Sequence, residues 1–198
     1  MEIAFISPFE SVRCEAIRKI NVKNFLEVTA LNDSSEQVRL EAVRNPYLLN
    51  ENILEHIACN DSSEHVRSNA VRKLSNKNLL RDIILKDDNY WVRCEVLKNP
   101  NFDDEDILED IVYNDSETHI REIAARNTHL HNESILIDLV KNDSARQVRL
   151  SALNNPNLKD EALLADIARN HEDSAFRTDA VRNPNFQNEE LLKYLEKK

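Results

Sequence analysis

The feature of this sequence that most constrains its fold is a short segment that recurs along the whole chain. Residues 33–46 read DSSEQVRLEAVRNP, and related segments follow at intervals of 26 or 28 residues. Self-similarity at such a period is typical of a solenoid, in which each repeat buries its apolar face against the next. The copies align on an apolar residue followed by arginine: Val12-Arg13, Val38-Arg39, Val66-Arg67, Val92-Arg93, Ile120-Arg121, Val148-Arg149 and Phe176-Arg177.

This alignment divides the chain into seven repeats after a short N-terminal segment. Residues 1–6 match only the final turn of the helix that closes a repeat, and we expect them to be the end of a partial N-terminal capping helix. Since neither end has a full extra capping helix, the chain could be a small solenoid, a piece of a longer one, or an oligomer that joins through its open ends. The repeats comprise residues 7–32, 33–60, 61–86, 87–114, 115–142, 143–170 and 171–198.

Each repeat begins with one predicted helix. In the second repeat, Asp33 or Ser34 is placed to cap the N-terminus, Glu36 could complete a capping box, and Asn45-Pro46 ends the helix. The helix is called the first helix of its repeat.

The first helix has two different faces. On a helical wheel, Val38 and Val43 mark an apolar face, and Arg39 falls inside it. Each copy therefore predicts one buried arginine and, on the opposite side of the first helix, a stripe of polar residues that faces solvent. The stripe has three members in the second repeat: Gln37, Glu41 and Arg44.

A second helix completes each predicted repeat. In the second repeat it reads NENILEHIACN with Asn50 as the cap, and the fourth repeat gives DEDILEDIVYN in the same place. These helices are acidic, which indicates either a solvated outer face or an acidic docking surface that mimics nucleic acid. The acidic residues are Glu51, Glu55, Glu105, Asp106, Glu109, Asp110, Glu133, Asp138, Glu161 and Asp166.

The chain has no glycine. Phosphate-binding loops, dinucleotide-binding turns, nucleophile elbows and standard calcium loops all require glycine, so these kinds of site are excluded. Helix ends must then turn on another residue that tolerates left-handed geometry. Asparagine recurs at that place, at Asn45, Asn99, Asn127, Asn155 and Asn183.

Composition narrows the class of protein further. A net charge of −10 over 198 residues argues against a general nucleic-acid binder. The sequence has no apolar run of membrane length and no signal-peptide pattern at its start. Cys14, Cys59 and Cys94 are odd in number and widely spaced, which indicates no disulfide framework and no metal site. We expect a reduced, cytoplasmic protein without enzymatic activity, cofactor or metal.

The repeat resembles two known families. An aspartate six residues before an arginine, followed by a small and an apolar residue, is similar to HEAT repeats. The run VRxxAVRNP followed by an acidic-aliphatic helix resembles the leucine-rich repeat variant, which is also a helical solenoid. The resemblance covers nearly the whole chain and implies an all-α, right-handed α-solenoid of about seven two-helix repeats. It does not imply a function, because such repeats serve many.

The resemblance also implies that aspartate and arginine form a ladder along the stack. An arginine inside an apolar face must find an acceptor or lose several kcal/mol, roughly, on burial. The regular candidates for that acceptor are Asp33, Asp61, Asp87, Asp115 and Asp143.

A candidate binding site lies on the polar stripe of the central first helices. The position of Arg44 is basic in most repeats, and an acid three residues earlier is placed to neutralise it. Asn69 and Ile123 replace that acid before Arg72 and Arg126, which leaves these two arginines without that partner. The predicted partner-binding residues are His65, Arg72, Tyr90, Trp91, Lys98, His119 and Arg126.

Three functions fit this pattern. The first is a scaffold that holds a protein or peptide on its concave face, because Trp and Arg are enriched at binding hot spots. The second is a module for an anionic ligand or nucleic acid, since an aromatic beside cations also suits phosphate or base stacking. The third is an acidic decoy that inhibits a DNA-binding protein through its second helices.

Overall fold

The structure is a computed structural model that describes residues 6–189 and residue 191. Every regular element in these residues is an α-helix. The helices are α1 (Glu10–Lys19), α2 (Lys23–Asn32), α3 (Glu36–Arg44), α4 (Glu51–Asn60), α5 (Glu64–Val71), α6 (Lys77–Lys86), α7 (Tyr90–Leu97), α8 (Glu105–Asn114), α9 (Thr118–Arg126), α10 (Glu133–Asn142), α11 (Arg146–Leu153), α12 (Glu161–Asn170) and α13 (Ser174–Arg182).

The helices alternate as the sequence predicts. Odd-numbered helices are the first helices of the predicted repeats, and even-numbered helices are the second helices. The predicted capping segment, residues 1–6, lies outside the described residues except for Ile6, and so does nearly all of the expected second helix of the last repeat.

The chain forms two compact halves, residues 1–103 and residues 104–198. In the N-terminal half, α1, α3, α5 and α7 contact one another in order, and α2, α4 and α6 each contact the first helix that follows. In the C-terminal half, α9, α11 and α13 contact one another in order, and α8, α10 and α12 each contact the first helix that follows. Within each half, packing of a helix against the following repeat is typical of a helical solenoid.

The core of each half is built from the apolar faces that the helical wheels predict. Val38, Val66 and Val92 are fully buried on successive first helices, and Leu54 and Leu80 are buried on the second helices beside them. Each such side chain contributes about 1.5–3 kcal/mol when it is removed from water. These short helices of 8 to 10 residues are too short to be stable alone, so this burial holds them together.

The predicted ladder of arginine and aspartate is present. Arg39 Nε and Nη2 donate to the Asp61 carboxylate at 2.7 and 2.9 Å, and its Nη1 donates to the carbonyl oxygen of Asp33 at 2.9 Å. The carboxylate thus comes from the next repeat, whereas the aspartate of the same repeat supplies only its backbone. The same carboxylate pairing joins Arg13 to Asp33, Arg67 to Asp87 and Arg121 to Asp143.

The ladder changes at the last repeat, where His171 stands in place of the aspartate. Arg149 keeps its bond to the carbonyl oxygen of Asp143, at 2.8 Å, but within the described part of the chain it has no carboxylate partner. Its guanidinium carbon instead lies 5.7 Å from the ring centre of Phe176, which stacks on His171.

This ladder makes stability depend on pH. Burial disfavours ionisation of Asp61, but hydrogen bonds from Arg39 and from the Ser63 backbone, together with the charges of Arg39 and Arg67, lower its pKa. Such a carboxylate stabilises the fold fully above its unfolded pKa of about 4, and the contribution is lost as the pH falls through the folded value.

We expect the urea midpoint of unfolding to drop between about pH 6 and pH 3, and to drop less in Asp61→Asn. The same drop in both proteins would contradict this account.

The expectation that asparagines end the first helices in left-handed geometry is wrong. No described residue has a positive φ, and Asn45 has φ −59° and ψ 129°. Its buried side chain instead donates to the carbonyl oxygens of Ile17 and Ile20 in the preceding repeat, at 2.8 and 3.0 Å, and accepts from the backbone N–H of Tyr47. The side chains of Asn99, Asn155 and Asn183 also donate to two carbonyls of the preceding repeat.

The third repeat has Lys73 in place of this asparagine. Lys73 Nζ donates to the carbonyl oxygens of Asn45 and Leu48, at 2.7 and 3.3 Å, so a lysine fills the same role. Burial lowers the pKa of Lys73. The residue at this position therefore donates to carbonyl oxygens where the first helix of the preceding repeat ends, and both asparagine and lysine can do so.

The predicted cap of α3 is also displaced. The cap is Ser35, whose hydroxyl accepts from the backbone N–H of Val38, and Asp33 instead ends α2. Asp33 accepts from the Ser35 N–H at 2.9 Å while it holds Arg13. Because Asp33 binds Arg13 in the ladder, the residue that caps α3 is Ser35, two residues later. Asn50 does precede α4 as predicted, but its side chain does not cap the helix.

Candidate functional site

Four exposed cations lie at the C-terminal ends of neighbouring first helices in the N-terminal half. We call them the cation row: Arg18, Arg44, Arg72 and Lys98. Each side chain is about half exposed. Because α1, α3, α5 and α7 contact one another in order, successive members stand one helix apart.

Glu15, which has the position of Glu41 in the first repeat, is exposed as predicted, but two other acidic members of the polar stripe are not displayed. Glu41 and Glu95 are buried, and so is Ser151 at the same position. Glu41 receives Arg18 Nε and Nη2 from the preceding helix, at 2.9 and 3.0 Å. Gln37 also donates to it, at 3.1 Å. The expectation that this position faces solvent is wrong for Glu41 and Glu95, because the cation of the preceding first helix covers each carboxylate.

A second ladder follows from these contacts. In five cases the residue at the Arg44 position donates to the residue at the Glu41 position on the next first helix. In the N-terminal half the pairs are Arg18 to Glu41, Arg44 to Asn69 and Arg72 to Glu95. In the C-terminal half they are Arg126 to Ser151 and Asn154 to Asp179.

Arg72 therefore has an acidic partner, although the sequence comparison left it without one in its own helix. Its Nε bonds to Glu95, and Lys98 Nζ lies 3.2 Å from the other oxygen of that carboxylate. Burial disfavours the charged form of Glu95, but the hydrogen bonds from Arg72 and Lys98 outweigh it, so the pKa of Glu95 is lowered. The hydrogen bond from Glu95 raises the pKa of Arg72. One buried carboxylate thus holds two exposed cations in place.

The two central arginines keep part of their guanidinium open. Arg44 Nε donates to Asn69 Oδ1 at 3.2 Å, and Arg72 Nε donates to Glu95. Within the described residues, the Nη nitrogens of both arginines donate no hydrogen bond, although Arg44 Nη1 lies 3.9 Å from Glu41. A pair of Nη groups has the geometry to bind a carboxylate or phosphate with two hydrogen bonds.

An aromatic pair stands beside the cation row on α7. Tyr90 is half-buried, Trp91 is about half exposed, and their ring centres are 4.5 Å apart with planes inclined at 37°. The Asn89 side chain caps α7 by accepting from the Trp91 N–H. Trp91 is one helical turn from Glu95, which places the ring beside the carboxylate that holds Arg72 and Lys98. His65 is exposed on the preceding first helix.

The other two predicted site residues belong to the C-terminal half. His119 and Arg126 are exposed on α9. Glu122 lies between them in sequence and contacts both, at 3.3 Å from His119 Nδ1 and 3.1 Å from Arg126 Nη2. Arg126 is thus also partnered. Five of the seven predicted residues thus lie in the N-terminal half, where Glu95 joins Arg72 to Lys98 and Tyr90 contacts Trp91, and the other two share Glu122 in the C-terminal half.

The acidic second helices have a structural role that the sequence did not reveal. Glu51 accepts from the backbone N–H of Ser75 and Asn76, at 2.7 and 3.3 Å, where the next second helix begins. Glu105 does the same for His131 and Asn132, at 2.6 and 2.9 Å. These glutamates cap the helix of the following repeat, and a negative charge is favourable there.

A cavity of about 410 Å³ lies between α4 and α6 in the N-terminal half. It is lined by Cys59 with Leu79, Asp82 and Lys86, among others. Burial and the nearby charge of Glu55 raise the pKa of the Cys59 thiol, which disfavours the reactive thiolate. The described residues contain no cluster of side chains suited to hold a metal ion.

Comparisons with known proteins add no relative. Neither the protein-family models nor the curated proteins contain a match to this chain. Among the described residues, no helix has the length and apolar character needed to cross a membrane.

Proposed function

We propose that this protein is a non-catalytic interaction scaffold of the HEAT-like or leucine-rich repeat variant type. It would be a right-handed α-solenoid of seven two-helix repeats, with its first helices on the concave face. The alternation of short helices supports this architecture, as do the arginine–aspartate and asparagine contacts that recur from repeat to repeat. Cys14, Cys59 and Cys94 form no disulfide within the described residues, which supports a reducing compartment such as the cytoplasm.

One observation carries the proposal of a binding site. Trp91 is the only tryptophan of the chain and is about half exposed at the start of α7. A half-exposed tryptophan leaves a large apolar surface in water, and the surrounding fold does not need it there. Its ring lies against that of Tyr90, and Lys98 of the cation row caps the C-terminus of the same helix. Exposed aromatic and cationic side chains on one helix suit a hot spot for a protein partner.

Two other functions are weaker. A nucleic-acid or anionic ligand would use the same cations, but the net charge of −10 opposes nucleic acid, and an anionic group alone would leave the exposed ring of Trp91 unused. An acidic decoy would use the second helices, but Glu51 and Glu105 are engaged in capping the next repeat. Charge reversal at exposed acids would abolish a decoy activity and leave binding at Trp91 unchanged.

Replacement of Trp91 by alanine is expected to remove one or more protein partners and to leave the fold unchanged. The measurement is affinity capture from a lysate with wild type, Trp91→Ala and Tyr47→Ala, in which proteins and nucleic acids are identified separately. Tyr47 is a matched control, since it is 50% exposed against 49% for Trp91 and lies outside the first helices. A protein retained by wild type and Tyr47→Ala but lost from Trp91→Ala is the expected result.

The contrary results are also informative. If all three proteins retain the same partners, Trp91 is not the anchor and the proposed site is wrong. If the retained molecule is a nucleic acid whose binding weakens steeply with salt, the anionic-ligand function replaces the scaffold.

A further inference from the structure

We propose that the cation row, with Tyr90 and Trp91 beside it, is a docking surface for an acidic peptide in the polyproline II conformation. The peptide would carry a carboxylate at every third residue. This inference rests on the proposed scaffold function and specifies the chemistry of its partner. It follows from the spacing, the charge, the hydrogen bonding and the aromatic neighbours of the row.

The spacing of the row selects the conformation of the ligand. One cation stands on each of four first helices that pack side by side, and packed helices lie about 8–10 Å apart. A polyproline II helix has three residues per turn and rises about 9 Å per turn, so carboxylates at every third residue lie on one face at that interval. A β-strand returns to the same face after about 7 Å and would fall out of step by the third cation.

The charge of the row selects an acidic ligand. Glu41 is shared by Arg18 and Arg44, and Glu95 is shared by Arg72 and Lys98. Glu15 also lies 3.7 Å from Arg18 and is exposed. Four cations therefore stand beside three carboxylates, and two of these carboxylates are buried beneath them. The exposed layer is positive although the chain carries a net charge of −10. At contact distance the ligand meets the local positive charge, because salt screens the more distant acids.

Hydrogen bonding prepares the arginines for a carboxylate. Asn69 and Glu95 fix Arg44 and Arg72 through their Nε atoms, and the Nη groups remain open. A long side chain usually loses conformational entropy when it binds a ligand, and these two have already been ordered by the fold. The two remaining Nη groups can donate two parallel hydrogen bonds to a carboxylate of the ligand.

The aromatic pair selects a proline-rich peptide. The rings of Tyr90 and Trp91 are 4.5 Å apart and inclined at 37°, which leaves apolar faces at an angle to each other. Polyproline II segments dock on aromatic surfaces because the extended helix is already ordered and presents flat proline rings. Trp91 lies in the first turn of α7 and Lys98 caps the C-terminus of that helix seven residues later, so one peptide could contact both kinds of group.

The net charge disfavours a polynucleotide on the same row. Nucleic acids carry a charge on every phosphate, and long chains extend beyond the row onto a protein with a formal charge of −10. A short peptide with few carboxylates can match the cations and avoid that repulsion.

The test compares two peptides of identical composition. One repeats Glu-Pro-Pro, and the other repeats Glu-Pro-Glu-Pro-Pro-Pro. In the second peptide, alternating spacings of two and four divide the carboxylates between two faces of the helix, so one face carries a carboxylate only at every sixth residue. Labelled-peptide anisotropy gives the affinity, and the emission of Trp91 reports contact at the aromatic pair because it is the only tryptophan. We expect the regular peptide to bind about tenfold more tightly, with a shift in Trp91 emission.

Matched variants locate the binding. Arg44→Gln removes a row cation that is anchored by a single hydrogen bond, and it should weaken the regular peptide about five- to tenfold. Lys86→Gln removes an exposed cation from α6, away from the row, and should leave binding unchanged. Thermal melting must first show that both variants fold as the wild type does.

Four results would overturn the inference. They are no binding of the regular peptide, equal binding of both peptides, full binding by Arg44→Gln, and tighter binding of a single-stranded oligonucleotide of equal charge. If the peptides fail while capture of a protein still depends on Trp91, only the ligand chemistry is wrong. If the peptide binds as expected while capture of a protein does not depend on Trp91, the cation row is a peptide-binding surface and the proposal that Trp91 anchors a protein partner is wrong.

Discussion

Arg39→Ala is expected to lower the free energy of unfolding by about 3 kcal/mol, which is among the largest effects of any single substitution in this chain. The guanidinium makes two hydrogen bonds to Asp61 and one to the carbonyl oxygen of Asp33. Both members of the pair are largely buried. Removal of the arginine leaves the Asp61 carboxylate without its main partner in a site that water reaches poorly. The measurement is urea unfolding followed by circular dichroism at pH 7.

A double substitution separates the cost of the lost pair from the cost of the stranded charge. Arg39→Met with Asp61→Leu replaces both charges by apolar side chains of similar size, and it should be more stable than Arg39→Ala because no buried charge remains. Arg44→Ala removes an exposed arginine from the same helix and should change stability by less than about 1 kcal/mol. An Arg39→Ala protein as stable as Arg44→Ala would show that the ladder does not stabilise the fold.

Asn99→Ala is expected to cost about 2–4 kcal/mol, since it removes three hydrogen bonds at a buried site. The amide donates to the carbonyl oxygens of Val71 and Leu74, at 2.7 and 3.0 Å, and accepts from the N–H of Asn101. In the variant the Asn101 N–H loses its acceptor, and each carbonyl oxygen keeps one bond, from the Leu74 N–H to Val71 and from the Asn101 side chain to Leu74. Thermal and urea unfolding measure the loss, and Asn60→Ala, which removes an exposed asparagine at the end of α4, is the control.

The aspartate variant of the same residue gives a sharper test. Asp has the shape of Asn, but its ionised carboxylate cannot donate to the two carbonyl oxygens and would repel them. Asn99→Asp should therefore be less stable than Asn99→Ala at neutral pH and regain stability as the pH falls and the carboxyl becomes protonated. Equal stability of the two variants at all pH values would contradict the donor role of Asn99.

The repeat pattern was sufficient to predict the helices and one of the two ladders. Helix positions follow from apolar periodicity, which is local in sequence, and α4 and α8 lie where the sequence places them. The arginine–aspartate ladder was also predictable, because an arginine inside an apolar face needs an acceptor and an aspartate recurs at a fixed distance. The exposure of Trp91, Arg72 and Lys98 agrees with the helical wheels.

Errors arose where the neighbouring repeat decides the environment. A wheel drawn for α3 places Glu41 opposite the apolar face, but Arg18 from the preceding helix covers it. The pairing could have been found by comparing each cation with the acceptor position of the next repeat instead of its own. Asn45 was predicted to end the helix in left-handed geometry because asparagine tolerates that geometry. Its side chain instead donates hydrogen bonds to two carbonyl groups of the preceding repeat.

The sequence by itself determined the period, the helical class and the identity of the buried arginines, because these depend on residue type and on spacing within about 30 residues. Only the tertiary structure decided which polar groups are buried and which remain open to a partner. The physical reason is that burial is a property of two packed surfaces. A carboxylate such as Glu95 is exposed on an isolated helix and becomes buried when the arginine of the adjacent helix lies over it.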